Sequence, residues 1–247
     1  MTNFVRTLMS DFLLMEREDA EFTSSIYVGH FEDIQMLEEY PIWHFEERKR
    51  FEAYQFPVRR ESYIMGRYAA KKAIMKAVND SAGILDKIWI SEGIFHFPVV
   101  VNPNIQNLKV SISHSGSYAA AIAFPEQHPM AIDIEMMDRF QDKEKTEAIR
   151  TQMTSLDLSW LEAYPRQTNE ILGLLWTAKE ALSKVLMTGL MTSFALYEIN
   201  NIAYLSGYFI SSFTHFPQYK VVTFFIYNSV ICSIVIPSKS SLKQNLF

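Results

Sequence analysis

The sequence predicts an α+β protein of two similar halves, each a small antiparallel sheet packed on one long helix. Three observations carry that expectation. The strand-like runs are short and separated by turn signals, which favours antiparallel pairing over a doubly wound parallel sheet. Two segments, Glu61–Val78 and Asn169–Leu186, place apolar residues at helical spacing, and one lies in each half of the chain. Between them the turn at Pro125–Pro129 divides the chain into an expected residues 1–125 and 126–247. No internal sequence repeat accompanies the division.

In chain order, the opening MTNFVRTLMSDFLLMERED has a short apolar stretch, but acids interrupt it and no small-residue cleavage site follows. It does not fit a signal peptide. Ser24–His30 reads as a strand, and Glu61–Val78 as a helix with Ile64, Tyr68, Ala69, Ala73, Ile74 and Ala77 on its apolar face. The run Asn79-Asp80-Ser81-Ala82-Gly83 stops it. Lys87–Ser91 reads as a strand and residues 92–107, with their Gly, Pro and Asn, as a loop. Val110–Ser113 and Tyr118–Phe124 form a hairpin around His114-Ser115-Gly116-Ser117. Met130–Glu135 is a further strand. Met137–Tyr164 reads as helical with a break near Thr154, and Asn169–Leu186 as a second long helix ended by Thr188-Gly189. Strands at Phe194–Asn200, Ile202–Phe213 and Tyr219–Ile236 follow, the last folding back through Asn228-Ser229 before a polar, frayed tail.

Composition narrows the class. The chain has 247 residues, 49% of them hydrophobic and 21% charged, so disorder and fibrous folds are excluded. A folded chain of this size buries roughly three-quarters of its unfolded surface and needs no staples. Its single cysteine, Cys232, cannot form an internal disulfide and suits a reducing compartment, so a cytoplasmic location is expected. The apolar run Val221–Ile236 is too short and too β-branched to cross a membrane as a helix. The net charge is −5, yet Arg48, Lys49, Arg50, Arg59, Arg60, Arg67, Lys71, Lys72 and Lys76 crowd one segment. Two readings stand: a solvated helix face, or a contact for an anionic partner of limited size. Nucleic acid is not expected, because its binders are usually basic overall.

Three places carry candidate chemistry. In Asp133-Ile134-Glu135, at the end of an apolar strand, period two puts both carboxylates on one face, where hard oxygens suit Mg²⁺. Trp176, Glu180 and Lys184 share one face of the second long helix; a salt bridge under a core tryptophan explains that spacing equally well. His114 stands alone in its hairpin, with no serine and acid spaced to make a hydrolase triad. There is no CxxC pair, Walker loop or GxGxxG.

Taken in order, RRESYIMGRYAAK from Arg59, VSISHSG from Val110, AIDIE from Ala131 and LLWTAKEALSK from Leu174 resemble the 4′-phosphopantetheinyl transferases of the two-domain, Sfp-like type, nearest to those of enterobactin-type pathways. The resemblance spans roughly residues 48–190. It implies a pseudo-dimer of two α+β halves with the active site in the cleft between them, and coenzyme A as co-substrate. A carrier-protein serine would attack the pantetheine-side phosphorus, releasing adenosine 3′,5′-bisphosphate. Asp133, Glu135 and Glu180 match the family's Mg²⁺ ligands, Glu180 also its general base, and Lys184 the lysine that supports the pyrophosphate. Ser113, through its backbone, and His114 match the contact to the nucleotide phosphates. Arg59 and Arg67 match positions that hold the 3′-phosphate and pyrophosphate. The implied partner is an acyl- or peptidyl-carrier protein, and a monomer is expected. In one place the chain departs from the pattern: many relatives carry Gly-Lys-Pro before the SISH segment, whereas Gly93-Ile94-Phe95-His96-Phe97-Pro98 has no lysine. Two other readings use the same residues, an inactive relative that binds coenzyme A or a carrier protein, and a Mg²⁺-dependent phosphohydrolase.

Overall fold

The computed structural model describes residues 4–18, 20–79, 85–205 and 207–243. The fold is α+β, in two compact units. One runs to Pro129 and takes in the short strand at Ser241–Leu242; the other spans Met130–Ser240.

The first unit opens with two long strands, β1 (Val5–Arg17) and β2 (Ala20–Phe31), followed by helices α1 (Ile34–Glu39), α2 (Phe45–Ala53) and α3 (Pro57–Ala77). Strands β3 (Trp89–Glu92) and β4 (Pro98–Val101) form a two-stranded sheet. A hairpin of β5 (Leu108–Ser115) and β6 (Tyr118–Pro125) completes the larger antiparallel sheet. Proline at its first turn starts α3, where a missing N–H costs nothing. Its face Ile64, Tyr68, Ala69, Ala73 and Ile74 packs into one core with Ala119, Ala121 and Ala123 of β6. The alanines let helix and sheet approach closely: a Cβ on Gly66 would stand 3.1 Å from Ile112 Cγ2.

Four expectations change here. The opening segment, to which no element was assigned, is β1, paired along its length with β2. Residues 92–107 contain β4, whose Val-Val-Val run pairs with β3. His114 lies within β5, opposite Ala119, and not in the hairpin loop. The basic segment includes α2 as well as α3. The stop signal expected at residues 79–83 falls, beyond Asn79, outside the described residues.

The second unit begins with β7 (Ala131–Met136) and a 3₁₀ turn at Met137–Phe140, then helices α4 (Lys143–Arg150), α5 (Ser155–Ala163) and α6 (Thr168–Val185). Strands β8 (Ile199–Leu205), β9 (Tyr208–Phe213), β10 (Tyr219–Ile226) and β11 (Val230–Pro237) form an antiparallel meander that β7 joins beside β11. The stretch expected as one broken helix is therefore three pieces. Thr154 caps α5 through a capping box with Asp157, at the expected break, and Asp142 caps α4, adding a second start that was not expected. Phe194–Tyr197 is a 3₁₀ turn and not a strand, because Phe194 and Tyr197, three apart, both sink into the core. Tyr227 and Asn228 take left-handed φ of 49° and 56°, closing the β10–β11 hairpin with Ser229 N–H donating to Ile226 O at 3.0 Å. Ile171, Leu174, Leu175, Ala178 and Leu182 of α6 share a core with Ile231 and Val235 of β11.

The C-terminal strand β12 (Ser241–Leu242) pairs with Met15 and Glu16 of β1, so the start of the tail is a sheet edge. Among the described residues no helix is long and apolar enough to cross a membrane.

His128, in the turn before β7, is fully buried with its ring 4.7 Å from that of Phe22. Burial, then the charge of Arg17, push its imidazole down to about 4. An unfolded histidine takes up a proton below pH ~6.5, whereas the folded one resists until about 4. The stability contributed by keeping His128 neutral is therefore present above pH ~6.5 and lost as pH falls toward 4. Relative to His128→Gln, the wild type is expected to lose about 1–3 kcal/mol over that window. Parallel urea titrations of the two proteins check this; superimposable pH profiles would remove His128 from acid unfolding.

Candidate active site

In the second unit, the pleat of β7 turns Asp133 and Glu135 to one face, and α6 packs across that strand. Asp133 is 5% exposed. Its Oδ1 accepts a hydrogen bond from Lys184 Nζ at 2.7 Å, and the same ammonium donates to Ile132 O at 3.1 Å. Lys184 thus reaches off its own helix to the strand. Glu135 pairs with Arg139, whose guanidinium lies 5.0 Å from the centre of the Trp176 ring. Beneath this face, Ser233, opposite Asp133 on β11, stands 2.7 Å from both Thr177 Oγ1 and Thr223 Oγ1. These buried hydroxyls tie helix to sheet.

Glu180 is the strained member. Burial first, then the carboxylate of Asp133, push its carboxyl up to about 7, against the pull of Lys184; Glu135 adds to the rise and Arg139 opposes it. Three carboxylates therefore feel one another, with two cations set among them. Among the described residues no three His, Cys, Asp or Glu side chains gather tightly enough to hold a metal ion as they stand. The donor set still suits a hard divalent cation, because Glu180 is an acid whose ionised form lacks full compensation.

The rest of α6 is anchored from below. Lys179, on the face away from Glu180, is fully buried and pairs with buried Asp157 at 2.5 Å, also donating to Phe194 O at 3.0 Å. Asp157 accepts further from Thr154 N at 2.9 Å and Ile199 N at 3.0 Å. One carboxylate thereby fixes α5, α6 and the start of β8 together.

The first unit carries a separate cleft of about 180 Å³. Arg59 and Arg67 of α3 and His114 of β5 line it, together with Tyr63, Glu92 and His96. Ser113 does not; it is buried on the opposite pleat of the strand. Arg59 lies over the Tyr54 ring at 5.6 Å and makes no ion pair among the described residues. Arg67, 7% exposed, stacks over Tyr63 at 4.4 Å, with its Nε 3.7 Å from Glu47 Oε1. Glu47 is a buried hub: Lys71 Nζ meets Oε2 at 2.5 Å, and Ile90 N donates to Oε1 at 2.9 Å. The basic segment is thus neither wholly solvated nor wholly free for a partner. Arg48, Arg50 and Arg60 pair with acids, Lys71 is buried, and Arg59 and Arg67 face the cleft. Sequence reasoning missed Glu47 and His96. Glu47 sits in a charged run that reads as surface, and only the absent lysine in Gly93–Pro98 drew attention to the loop that holds His96.

Residues 129–235 match the family model of the 4′-phosphopantetheinyl transferase superfamily. That stretch, under half of the chain, is similar to this superfamily. Two curated relatives agree. A holo-[acyl-carrier-protein] synthase of Mycoplasma mycoides subsp. mycoides SC is 39% identical over 67 residues, 27% of this chain and 59% of that protein. One from Mycoplasma capricolum subsp. capricolum is 37% identical over 67 residues, with the same coverage. The chain therefore spans about three-fifths of the length of the curated relatives it matches. Asp133, Glu135, Glu180 and Lys184 all fall inside the superfamily segment, whereas Arg59, Arg67, Ser113 and His114 lie outside it.

Proposed function

We propose that the chain transfers the 4′-phosphopantetheine group of coenzyme A to a serine of an acyl- or peptidyl-carrier protein, releasing adenosine 3′,5′-bisphosphate. One observation carries the reading above the others: within the matched segment a half-buried Glu180, raised to about 7, stands with Asp133, Glu135 and the Lys184 ammonium. An acid that titrates near neutrality is matched to take a proton from an alcohol. Asp133, Glu135 and Glu180 would hold Mg²⁺, which when bound neutralises pyrophosphate charge and polarises phosphoryl oxygens.

In this reading Arg59, Arg67 and His114 bind the nucleotide phosphates, since a bisphosphorylated nucleotide needs several cations. Glu180 takes the serine proton, directly or through water. The serine Oγ bonds to the pantetheine-side phosphorus as the bond from that phosphorus to the bridging oxygen breaks. Lys184 Nζ, already turned toward β7, meets the charge that develops on the leaving phosphate.

The test incubates the protein with coenzyme A, Mg²⁺ and an apo carrier protein and records the intact carrier mass. A phosphopantetheine adduct is expected. An unchanged carrier would favour a binding-only relative, and coenzyme A breakdown without carrier a phosphohydrolase.

Lys184→Met separates charge stabilisation from simple pairing. A partly exposed ion pair contributes about 0.2–1 kcal/mol, and losing only that would leave turnover nearly unchanged. If the ammonium meets the leaving phosphate, kcat falls about tenfold or more while coenzyme A affinity falls less. Methionine keeps the helix. Turnover and binding measured separately decide it; a wild-type kcat returns Lys184 to a pairing role.

A further inference from the structure

The β3–β4 connection places a histidine at the cleft lined by Arg59, Arg67, His114 and Glu92. Gly93 leaves room for the Phe97 ring, whose tip a Cβ there would meet at 2.4 Å. Gly93 N–H donates to Phe97 O at 2.8 Å and His96 N–H to Gly93 O at 2.9 Å. His96 itself takes a left-handed φ of 62°, a conformation that costs a non-glycine residue energy and gathers at functional sites. This turn sets the side chain at the cleft beside Arg59, Arg67 and His114. Its Nδ1 lies 3.0 Å from Glu92 Oε2, and Arg50 holds the same carboxylate at 2.6 Å.

We propose that His96 is a phosphate-binding residue of the cleft, and that its protonation makes nucleotide affinity rise as pH falls. The inference rests on the nucleotide reading of the cleft given above. A carboxylate on Nδ1 fixes the proton there, so in the neutral ring Nε2 carries a lone pair. That lone pair repels a phosphate oxygen. Protonation turns Nε2 into a charged donor, so both the charge and the hydrogen-bond sense reverse in one step. Histidine makes this change between pH 5 and 8, whereas a lysine stays charged throughout. The groups facing His96 are Glu92 on β3, Arg59, Tyr63 and Arg67 on α3, Tyr54 beside it, His114 on β5, and Arg50 through Glu92. Of these only His114 is a second histidine, so the test must tell the two apart.

Adenosine 3′,5′-bisphosphate binding, followed by calorimetry at pH 6 and pH 8 at one ionic strength, reads the effect. The phosphates gain charge over this range and strengthen binding at the higher pH in every variant alike, so the comparison is between proteins. The affinity ratio of pH 6 to pH 8 is expected to be about fivefold larger for wild type than for His96→Ala, as for one exposed charge contact. His96→Lys is expected to bind at pH 8 as tightly as the protonated wild type does, and in a His114→Ala background the His96→Ala substitution is still expected to lower the ratio about fivefold. Circular dichroism confirms folding of each variant; the His96 side chain is 84% exposed, so all are expected to fold. If His96→Ala binds the nucleotide with the wild-type ratio, the proposal fails and the reading of the cleft stands. If the wild type binds no nucleotide at either pH, the reading of the cleft fails and takes this proposal with it.

Discussion

Asp133→Ala is expected to lower carrier modification by at least about 100-fold while leaving the fold intact, as is usual when a transition state loses a main electrostatic group. Structural loss is small because the remaining partner, Lys184, is 28% exposed and can turn to water. Glu180→Gln is the sharper companion. It should lose activity to a similar extent yet unfold at a higher temperature than wild type at pH 8. There the wild type must keep an ionised, half-buried carboxylate beside Asp133, and the amide removes that charge. Inactivity with raised stability marks a group retained for chemistry at the expense of the fold. Rates at saturating coenzyme A and melting curves for both variants are the measurements. A folded Asp133→Ala protein with near-normal turnover would sink the assignment of this face as the reacting site.

What is legible in the sequence follows from periodicity. Helices α3 and α6 stand out because their apolar residues recur at helical spacing over a long span. Period two alone puts Asp133 and Glu135 on one face of their strand. Strand β1 is illegible for the same reason inverted. Only Leu13 and Met15 along it are buried, so its polar and apolar residues show no clean alternation, and pairing with β2 rather than patterning defines it. Strand β4 hides behind the Gly and Pro that flank it. The buried charges are the hardest to foresee. Glu47 lies in Phe45-Glu46-Glu47-Arg48-Lys49-Arg50, which reads as a solvated helix, yet Glu47 has no exposed surface on its side chain. Its burial depends on Lys71, a residue on another helix, and on the β3 backbone at Ile90. Nothing local encodes such a partner. The Glu180–Lys184 spacing points to a pairing within one helical turn, whereas the lysine reaches a strand 51 residues away, at Asp133.

Asp157→Ala is expected to destabilise the protein by about 3–5 kcal/mol, a large share of the ~5–15 kcal/mol that folds such a chain. The substitution strands Lys179, whose side chain has no exposed surface, with a charge met by the Phe194 carbonyl and the weaker pull of Glu198. It also removes the capping partner of Thr154 and leaves the Ile199 N–H without its acceptor. Burial already draws the Lys179 pKa down, opposed mainly by Asp157; without that carboxylate it falls further. The unfolded chain then holds a proton that the folded one cannot keep, so the variant gains stability relative to wild type as pH rises toward 10. That pH trend separates a stranded charge from a lost cap, which would cost about 1 kcal/mol at any pH. Combining Asp157→Asn with Lys179→Met should recover much of the loss, because a buried pair replaced on both sides leaves no unmatched charge. Urea midpoints at pH 7 and pH 9.5 for the three proteins provide the measurement. A loss below about 1 kcal/mol for Asp157→Ala, unchanged between the two pH values, would show that this buried pair does no more than an exposed one.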